Sequence, residues 1–564
     1  MKGGGVRATP PAVMANAAIQ LDVEAYDASI PRPMGRNSAG EGFLRGFLRH
    51  ADVERFHFWN VRDLPREELE ALLERLGPVD RPVTWIGRGD RQELPAAGAL
   101  YIPSPEMRGE AWARRPLGSA GYSLTGVTHT IAETYILDEI AHLLSAPLEP
   151  WDALICTSEP GRRAVESLLE GVAGYLQERL GATRIPPAQL VTIPLGVHAE
   201  DFRRDPELRR RWRERLDIPE DAPVALHLGR FSVTTKLHPG PSGLALQETA
   251  QRLGRPVYWL MFGGARRAED ELAFLEAAAA FAPDVHILQA PDTTAQTRDE
   301  IVSAADVFLS LSDNLQETFG LTPVEAMAAG LPCVVSDWDG YRDTVRHGVD
   351  GFRIRTVQPR PGLGADLVYA YAQRLMSYDD YAGSASLLTA VDVGEAAEAL
   401  TALFSDAGLR ARMGAAGQAR AREVFDWGAV IPQYQALWRE LARRRAAAGP
   451  RPGHENPYRP DPFRMFADYP TEHLGHDHLI AAARPFDPGE AAVLMELPGV
   501  RNTAARLPSI DEAEALIAAV IEKPESVGAI LAMFPSDRRP FVERGILWLA
   551  KFGFLRLSGK STRT

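Results

Sequence analysis

The sequence predicts an α/β protein built from two lobes, each a parallel sheet layered with helices. Three observations carry this. The chain has 564 residues, too many for one ordinary core, so two or three domains are expected. Apolar strand-like segments recur at intervals of roughly twenty to thirty residues with helical patterns between them, as a doubly wound sheet requires. And one stretch, Asp306 to Ser336, shows the strand-loop-helix-strand unit of such a sheet in full. There an apolar strand to Leu311 is ended by Asp313 and Asn314. Thr322-Pro323-Val324-Glu325 reads as a helix start, with Thr322 as N-cap, Pro323 first and Glu325 third, a capping box. Gly330 and Pro332 stop the helix before the next buried strand.

Taken in order, residues 1–16 read as a flexible lead. Residues 17–188 read as a first lobe with strands at 17–23, 53–59, 83–86, 99–102, 123–128 and 153–157. Helices are expected at 43–50, 66–76, 131–144 and 161–179. A glycine-rich loop, Gly35 to Gly42, is expected before the first of these, where backbone N–H groups could approach a phosphate. The stretch from Leu190 to His198 reads as the crossing into a second lobe, 189–425, opened by a charged helix at 206–216. Its strands are expected at 222–228, 256–262, 285–288, 307–311, 333–336 and 352–354. A helix at 427–445 would cross back to the first lobe within residues 426–448.

Gly449-Pro450-Arg451-Pro452-Gly453 marks a linker. Beyond it, within 449–564, helices at 511–522, 526–534 and 539–552 and a final strand at 553–557 resemble a winged helix-turn-helix. Its apolar stripe, Ile546, Leu547, Leu549 and Ala550, reads as that domain's own core. His473, His476 and His478 could hold a metal, or form a polar loop; no matching framework of Cys or carboxylates is visible.

Composition narrows the function. Net charge is −13, which disfavours a general nucleic-acid binder, and basic and acidic residues balance after residue 450. The two cysteines, Cys156 and Cys333, each lie in an apolar strand segment, so buried reduced thiols and a reducing, cytoplasmic setting are expected. The N-terminal residues have no continuous apolar core of a secretory signal. No apolar run reaches the roughly 20 residues of a membrane span; peripheral membrane contact is compatible with all of this.

Candidate site residues gather at strand ends. Glu317 lies in the loop after the strand at 307–311, and Glu325 in the following helical turn. A helix N-terminus at that edge suits an anion. Glu325 could equally be a capping residue, and Glu317 a solvated loop acid. Arg230 and Lys236 follow the strand ending at Leu228, a planar fork and a point charge that together suit a diphosphate. His129 stands just past the strand at 123–128.

The run Glu317, Phe319-Gly320, Glu325, then Asp339-Gly340 to Gly351-Phe352, resembles the donor-site signature of retaining GT-B glycosyltransferases of family four (group 1). The resemblance covers about residues 17 to 448 and is stronger in the second lobe. It implies a GT-B fold, two facing Rossmann-like lobes with parallel sheets, here with a small, mainly helical C-terminal domain added. It implies a nucleotide-diphosphate sugar as donor, an acceptor that the sequence does not name, and no metal or other cofactor. Arg230 and Lys236 would meet the diphosphate, Glu317 the sugar, Glu325 the ribose and His129 the sugar from the other lobe. Thr318, Phe319, Gly320 and Leu321 would line the donor, with Gly40 from the glycine-rich loop and the backbone of Leu288 to Pro291 at the base. Two departures stand out: Gly40-x-Gly42 replaces paired glycines, and Leu237 stands where a glycine usually follows the lysine. Rival expectations are a phosphorylase on the same fold and a non-catalytic scaffold acting through the C-terminal region. That region is expected to contact acceptor or partner, or to pair two subunits.

Overall fold

Seven strands of the computed structural model form the first sheet. The structure describes residues 15–28, 35–265 and 267–560. The lead at 1–16 therefore lies outside the described residues, except for Ala15 and Asn16. The strands are β1 (Ala18–Leu21), β2 (Phe56–Asn60), β3 (Val83–Gly87), β4 (Ala99–Ile102), β5 (Ser123–Val127), β6 (Ala153–Cys156) and β7 (Leu190–Thr192). Their order is β3-β2-β1-β4-β5-β6-β7, every neighbour parallel. Strands β4, β5 and β6 are buried throughout, which is why they read as continuous apolar runs and not as alternating ones.

The second sheet holds β8 (Val224–Leu228), β9 (Val257–Phe262), β10 (Val285–Gln289), β11 (Val307–Ser310), β12 (Cys333–Ser336) and β13 (Gly351–Ile354). Its order is β10-β9-β8-β11-β12-β13, again all parallel. Phe308 of β11 stands between Leu226 and Cys333 in register. A small antiparallel pair, β14 (Thr356–Val357) and β15 (Ala390–Val391), follows. Each large sheet reverses direction once, between β1 and β4 and between β8 and β11. In open parallel sheets these reversals open a crevice at the strands' carboxyl ends, where ligands bind.

The chain ties its lobes together near residue 427. Val197 bridges to Asp426, its N–H donating to the Phe425 carbonyl at 2.7 Å, and Trp427 N–H returns a bond to the Val197 carbonyl at 3.1 Å. The helix Trp427–Ala448 then packs into the first lobe, where Trp427, Tyr434 and Trp438 share a core with Phe43, Phe47 and Tyr101. A buried ion pair holds the same lobe: Arg114 grips Asp152 with two bonds of 2.7 and 2.6 Å, and Asp152 also accepts from Leu124 N–H.

The glycine-rich loop expected at Gly35–Gly42 is instead the start of a helix, Gly35–His50. Gly40 is inside it and buried. A Cβ there would lie 2.0 Å from the Ala25 carbonyl oxygen. The glycine serves close packing, and its N–H belongs to the helix interior. Its assignment to donor phosphate contact through a loop does not hold.

Two compact units divide the chain, Met1–Asn456 and Pro457–Thr564. The expected linker and the residues just after it lie within the first unit: the Arg451 guanidinium sits over the Trp151 ring, and His454 N–H donates to the Arg115 carbonyl. The second unit has a three-stranded antiparallel sheet, β16 (His478–Ala482), β17 (Glu525–Ser526) and β18 (Leu555–Lys560), in the order β17-β16-β18. Strand β16 was not expected from the sequence. Helices Ile510–Ala519, Val527–Ala532 and Arg539–Lys551 cover this sheet's core. Ile546 and Leu549 are buried there, but Leu547 of the expected stripe is exposed. Ser509 and Glu512 form a capping box, and Glu512 pairs with Arg538 at 2.7 Å.

Candidate functional site

Four of the expected residues flank the second sheet's reversal: Arg230 and Lys236 follow β8, Glu317 and Glu325 follow β11. The loops that carry them are pinned to each other. Leu228 ends β8, and a turn closes on Ser232, whose carbonyl accepts from both Lys236 and Leu237 N–H at 3.1 and 3.2 Å. Leu237, standing where glycine is usual, is buried in the second lobe's core and anchors the turn. Asn314 Nδ2 donates to the Thr234 carbonyl at 2.7 Å, and Ser312 Oγ to the Lys236 carbonyl at 3.0 Å. These bonds bring Lys236 Nζ to 2.9 Å from Glu317 Oε2, across 81 positions of sequence. With Glu317 mostly buried and Lys236 about one-third exposed, the pair is less screened than a surface one.

Arg230 stands near Tyr378, whose phenol burial pushes upward and Arg230 pulls back. β11 ends at Ser310, earlier than expected, and Asp313 in the loop after it accepts a bond from Ser386 Oγ. Burial raises its carboxyl to about 6.

The helix after the loop begins one residue before Thr322. It spans Leu321–Ala328 with Gly320 as N-cap, so Thr322 is its second residue and Glu325 its fifth. The expected Thr322 cap and capping box are absent. Glu325 is buried, 3.8 Å from Arg298 Nη1. Burial pushes its carboxyl up and Arg298 partly offsets this. At the fifth position of the helix this carboxylate does not cap it.

Gly320 explains the early start. Its φ of +90° is left-handed, and a Cβ there would lie 2.3 Å from the Tyr341 ring. That ring cannot swing aside, because it is buried and its hydroxyl bonds Ser310 Oγ at 2.9 Å. Gly320→Ala should therefore destabilise the fold by on the order of 1–3 kcal/mol and weaken nucleotide binding. A thermal melt of the variant within one degree of the wild type would contradict this.

The other lobe reaches the same loop. Ser158 caps the helix Glu159–Leu180, accepting from Gly161 N–H at 3.1 Å, and donates from Oγ to the Thr318 carbonyl at 2.6 Å. Asp343 accepts from Glu159 N–H at 2.5 Å. Phe319 is buried, edge-on to Phe425. His129 enters from the first lobe just past β5. Burial drives its imidazole down to about 4, with the Pro103 carbonyl partly offsetting, so it is neutral at pH 7.

Sequence reasoning did not single out Arg298, Ser158 or the chemistry of Asp339. Asp339 has φ of +39°, an uncommon value for a side-chain residue, and its buried Oδ1 makes no hydrogen bond. Burial and nearby Glu317 hold its carboxyl well above the usual range. The positive φ was legible only as Asp-Gly, a common turn pair. His473, His476 and His478 do not converge. His478 is buried at the start of β16, and His473 Nε2 is 2.8 Å from the Ala467 carbonyl. Among the described residues no group of three or more His, Cys, Asp or Glu is placed to hold a metal ion, and no helix is long and apolar enough to cross a membrane.

Residues 209–360 match the family described as Glycosyl transferases group 1. The D-inositol 3-phosphate glycosyltransferase of Thermobispora bispora is 30% identical over 330 residues, 55% of this chain and 75% of that protein. The alpha-maltose-1-phosphate synthase of Mycolicibacterium smegmatis is 28% identical over 430 residues, 66% of this chain and 94% of that protein. Among solved structures, sucrose-phosphate synthase from Thermosynechococcus elongatus has a TM-score of 0.47 at 17% identity, covering 77% of this chain and 99% of the other.

Proposed function

This chain belongs to the group 1 glycosyl transferases, and from that premise we propose that it moves a hexosyl unit from a nucleotide-diphosphate sugar to an acceptor hydroxyl with retention of configuration. The observation that carries the reading is the Lys236–Glu317 pair at the reversal between β8 and β11. It sets a cation for the diphosphate beside a carboxylate for the sugar.

In this reading the diphosphate lies against Arg230 and Lys236, with the N–H groups and positive dipole end of Leu321–Ala328 adding to them. Glu317 accepts from sugar hydroxyls and Glu325 from the ribose hydroxyls. Thr318, Phe319, Gly320 and Leu321 line the donor. Neutral His129 orients the sugar from the first lobe. The acceptor oxygen forms a bond to the anomeric carbon on the face the diphosphate leaves. The bond from that carbon to the diphosphate oxygen breaks with its electron pair, and the acceptor proton passes to a leaving phosphate oxygen. Charge grows on the leaving group beside Arg230 and Lys236, so stabilisation rises toward the transition state. The two cations do the work a metal would do, and the reaction proceeds without one.

Thermal melts against a panel of nucleotide sugars test the donor, because a ligand that binds only the native state raises the melting temperature. Proton NMR of the product reports the anomeric configuration, and chelator treatment reports metal dependence. Inversion would overturn the retaining step, and loss of activity in chelator would overturn metal independence.

We read the second unit as a winged-helix-like module for acceptor or partner contact, and not for nucleic acid. A chain ending at Asn456 keeps the residues that run along the first unit. It should retain donor binding and slow donor hydrolysis but lose transfer to the natural acceptor or its native solution mass. Equal transfer and equal mass for both lengths would refute that role.

A further inference from the structure

A cavity of about 570 Å³ opens beside the donor loop, within the range of small-molecule sites. Its two walls differ in chemistry. One comes from the first lobe and is apolar: Leu137, Ile140, Val165 and Leu168, from the helices Thr134–Ala141 and Glu159–Leu180. The other comes from the second lobe and carries Trp338, Asp339 and Arg342. Leu315, two residues before Glu317, also lines it, as does Gly161 on the turn that Ser158 ties to the Thr318 carbonyl. The cavity therefore abuts the segment holding the sugar-binding carboxylate.

We propose that this cavity holds the body of the acceptor, and that the acceptor is an alcohol with an apolar body whose hydroxyl bonds Asp339. The assignment rests on the glycosyltransferase reading above. A polyhydroxylated or phosphorylated acceptor would press its hydroxyls on the first-lobe wall, where the side chains give them no partners, and desolvation would oppose binding. Arg342 offers an anion little: Asp337 already faces it at 3.7 Å. Asp339 lines the cavity and is only partly buried, so its carboxyl is placed to accept a hydrogen bond from a bound hydroxyl.

The test measures binding of methyl, butyl, hexyl and octyl β-D-glucosides, and of D-inositol 3-phosphate, to the full chain by calorimetry below the micelle threshold. Affinity should rise about fourfold for each added methylene until the cavity fills. Ala164, which lines the cavity from an exposed position of its helix, can be enlarged without touching the core. Ala164→Phe should weaken octyl glucoside at least tenfold, leaving methyl glucoside, nucleoside diphosphate binding and the melting temperature unchanged. An affinity independent of alkyl length overturns the proposal. So does an Ala164→Phe variant that binds octyl glucoside as the wild type does, or inositol phosphate binding more tightly than octyl glucoside at this site. If nucleoside diphosphates bind while the alkyl series is flat, the cavity assignment alone fails. If no nucleotide sugar binds, the donor reading fails whatever the alkyl series shows.

Discussion

Lys236→Ala lowers transfer by about two to three orders of magnitude and leaves the fold intact. Removing one preorganised donor to a developing oxyanion typically costs on the order of 3–4 kcal/mol of transition-state stabilisation. The turn that presents Lys236 survives, because its pins are to backbone: Ser312 Oγ to the Lys236 carbonyl and Asn314 Nδ2 to the Thr234 carbonyl. The loss should fall mainly on kcat, since charge on the diphosphate builds in the transition state. Lys236→Arg should recover part of it. Steady-state kinetics beside a melting curve decides the matter. A folded Lys236→Ala enzyme with kcat within threefold of wild type would remove Lys236 from the diphosphate site.

Buried histidines draw stability from this protein as pH falls. His198 and His227 are buried, and burial drives both imidazoles to about 4, with Arg45 adding to the effect at His198 and Lys236 at His227. His129 behaves alike. The sign follows from where protons bind. Between about pH 6.5 and 4 the unfolded chain takes up protons that the native chain refuses, so stability falls as pH falls. Each of His198 and His227 costs about 3 kcal/mol once the pH is below 4. Asp313, held up to about 6, and the raised carboxyls of Glu325 and Asp339 act in the opposite sense, protonating in the native state first. Urea unfolding of the wild type and of a histidine variant at pH 7, 6 and 5 isolates the histidine share. His227→Leu, placed among Phe231 and Phe274, should flatten the pH slope by close to one proton. An unchanged slope in that variant would remove His227 from the account.

The two parallel sheets were legible because their strands are buried on both faces and so appear as short apolar runs bounded by turn residues. Pairing of distant residues was not legible. Nothing local in Lys236 or Glu317 announces a 2.9 Å contact; the strand order creates it by placing β8 beside β11. The helix start was misjudged because Thr-Pro-x-Glu is a sound cap signal, yet Gly320 at φ +90° lets the helix begin earlier. At Gly35–Gly42 glycine was taken for a loop former, whereas Gly40 is there for the Ala25 carbonyl packed on it. Strand β16 was missed because His478 at its head, beside Asp477, reads as polar loop until burial against β18 is known.

The helix Trp427–Ala448 has a consequence for how the chain matures on the ribosome. The first lobe is synthesised first, but Trp427, Tyr434 and Trp438 belong to its core. Until they emerge, Phe43, Phe47 and Tyr101 face an open seat, and the lobe is exposed to solvent and to wrong partners. The second lobe's core also takes late-made residues, Leu400, Leu403 and Phe404 in one cluster and Ala421 and Phe425 in the other, so both lobes close only once residues past 400 have emerged, in place of the usual N-terminal-first order.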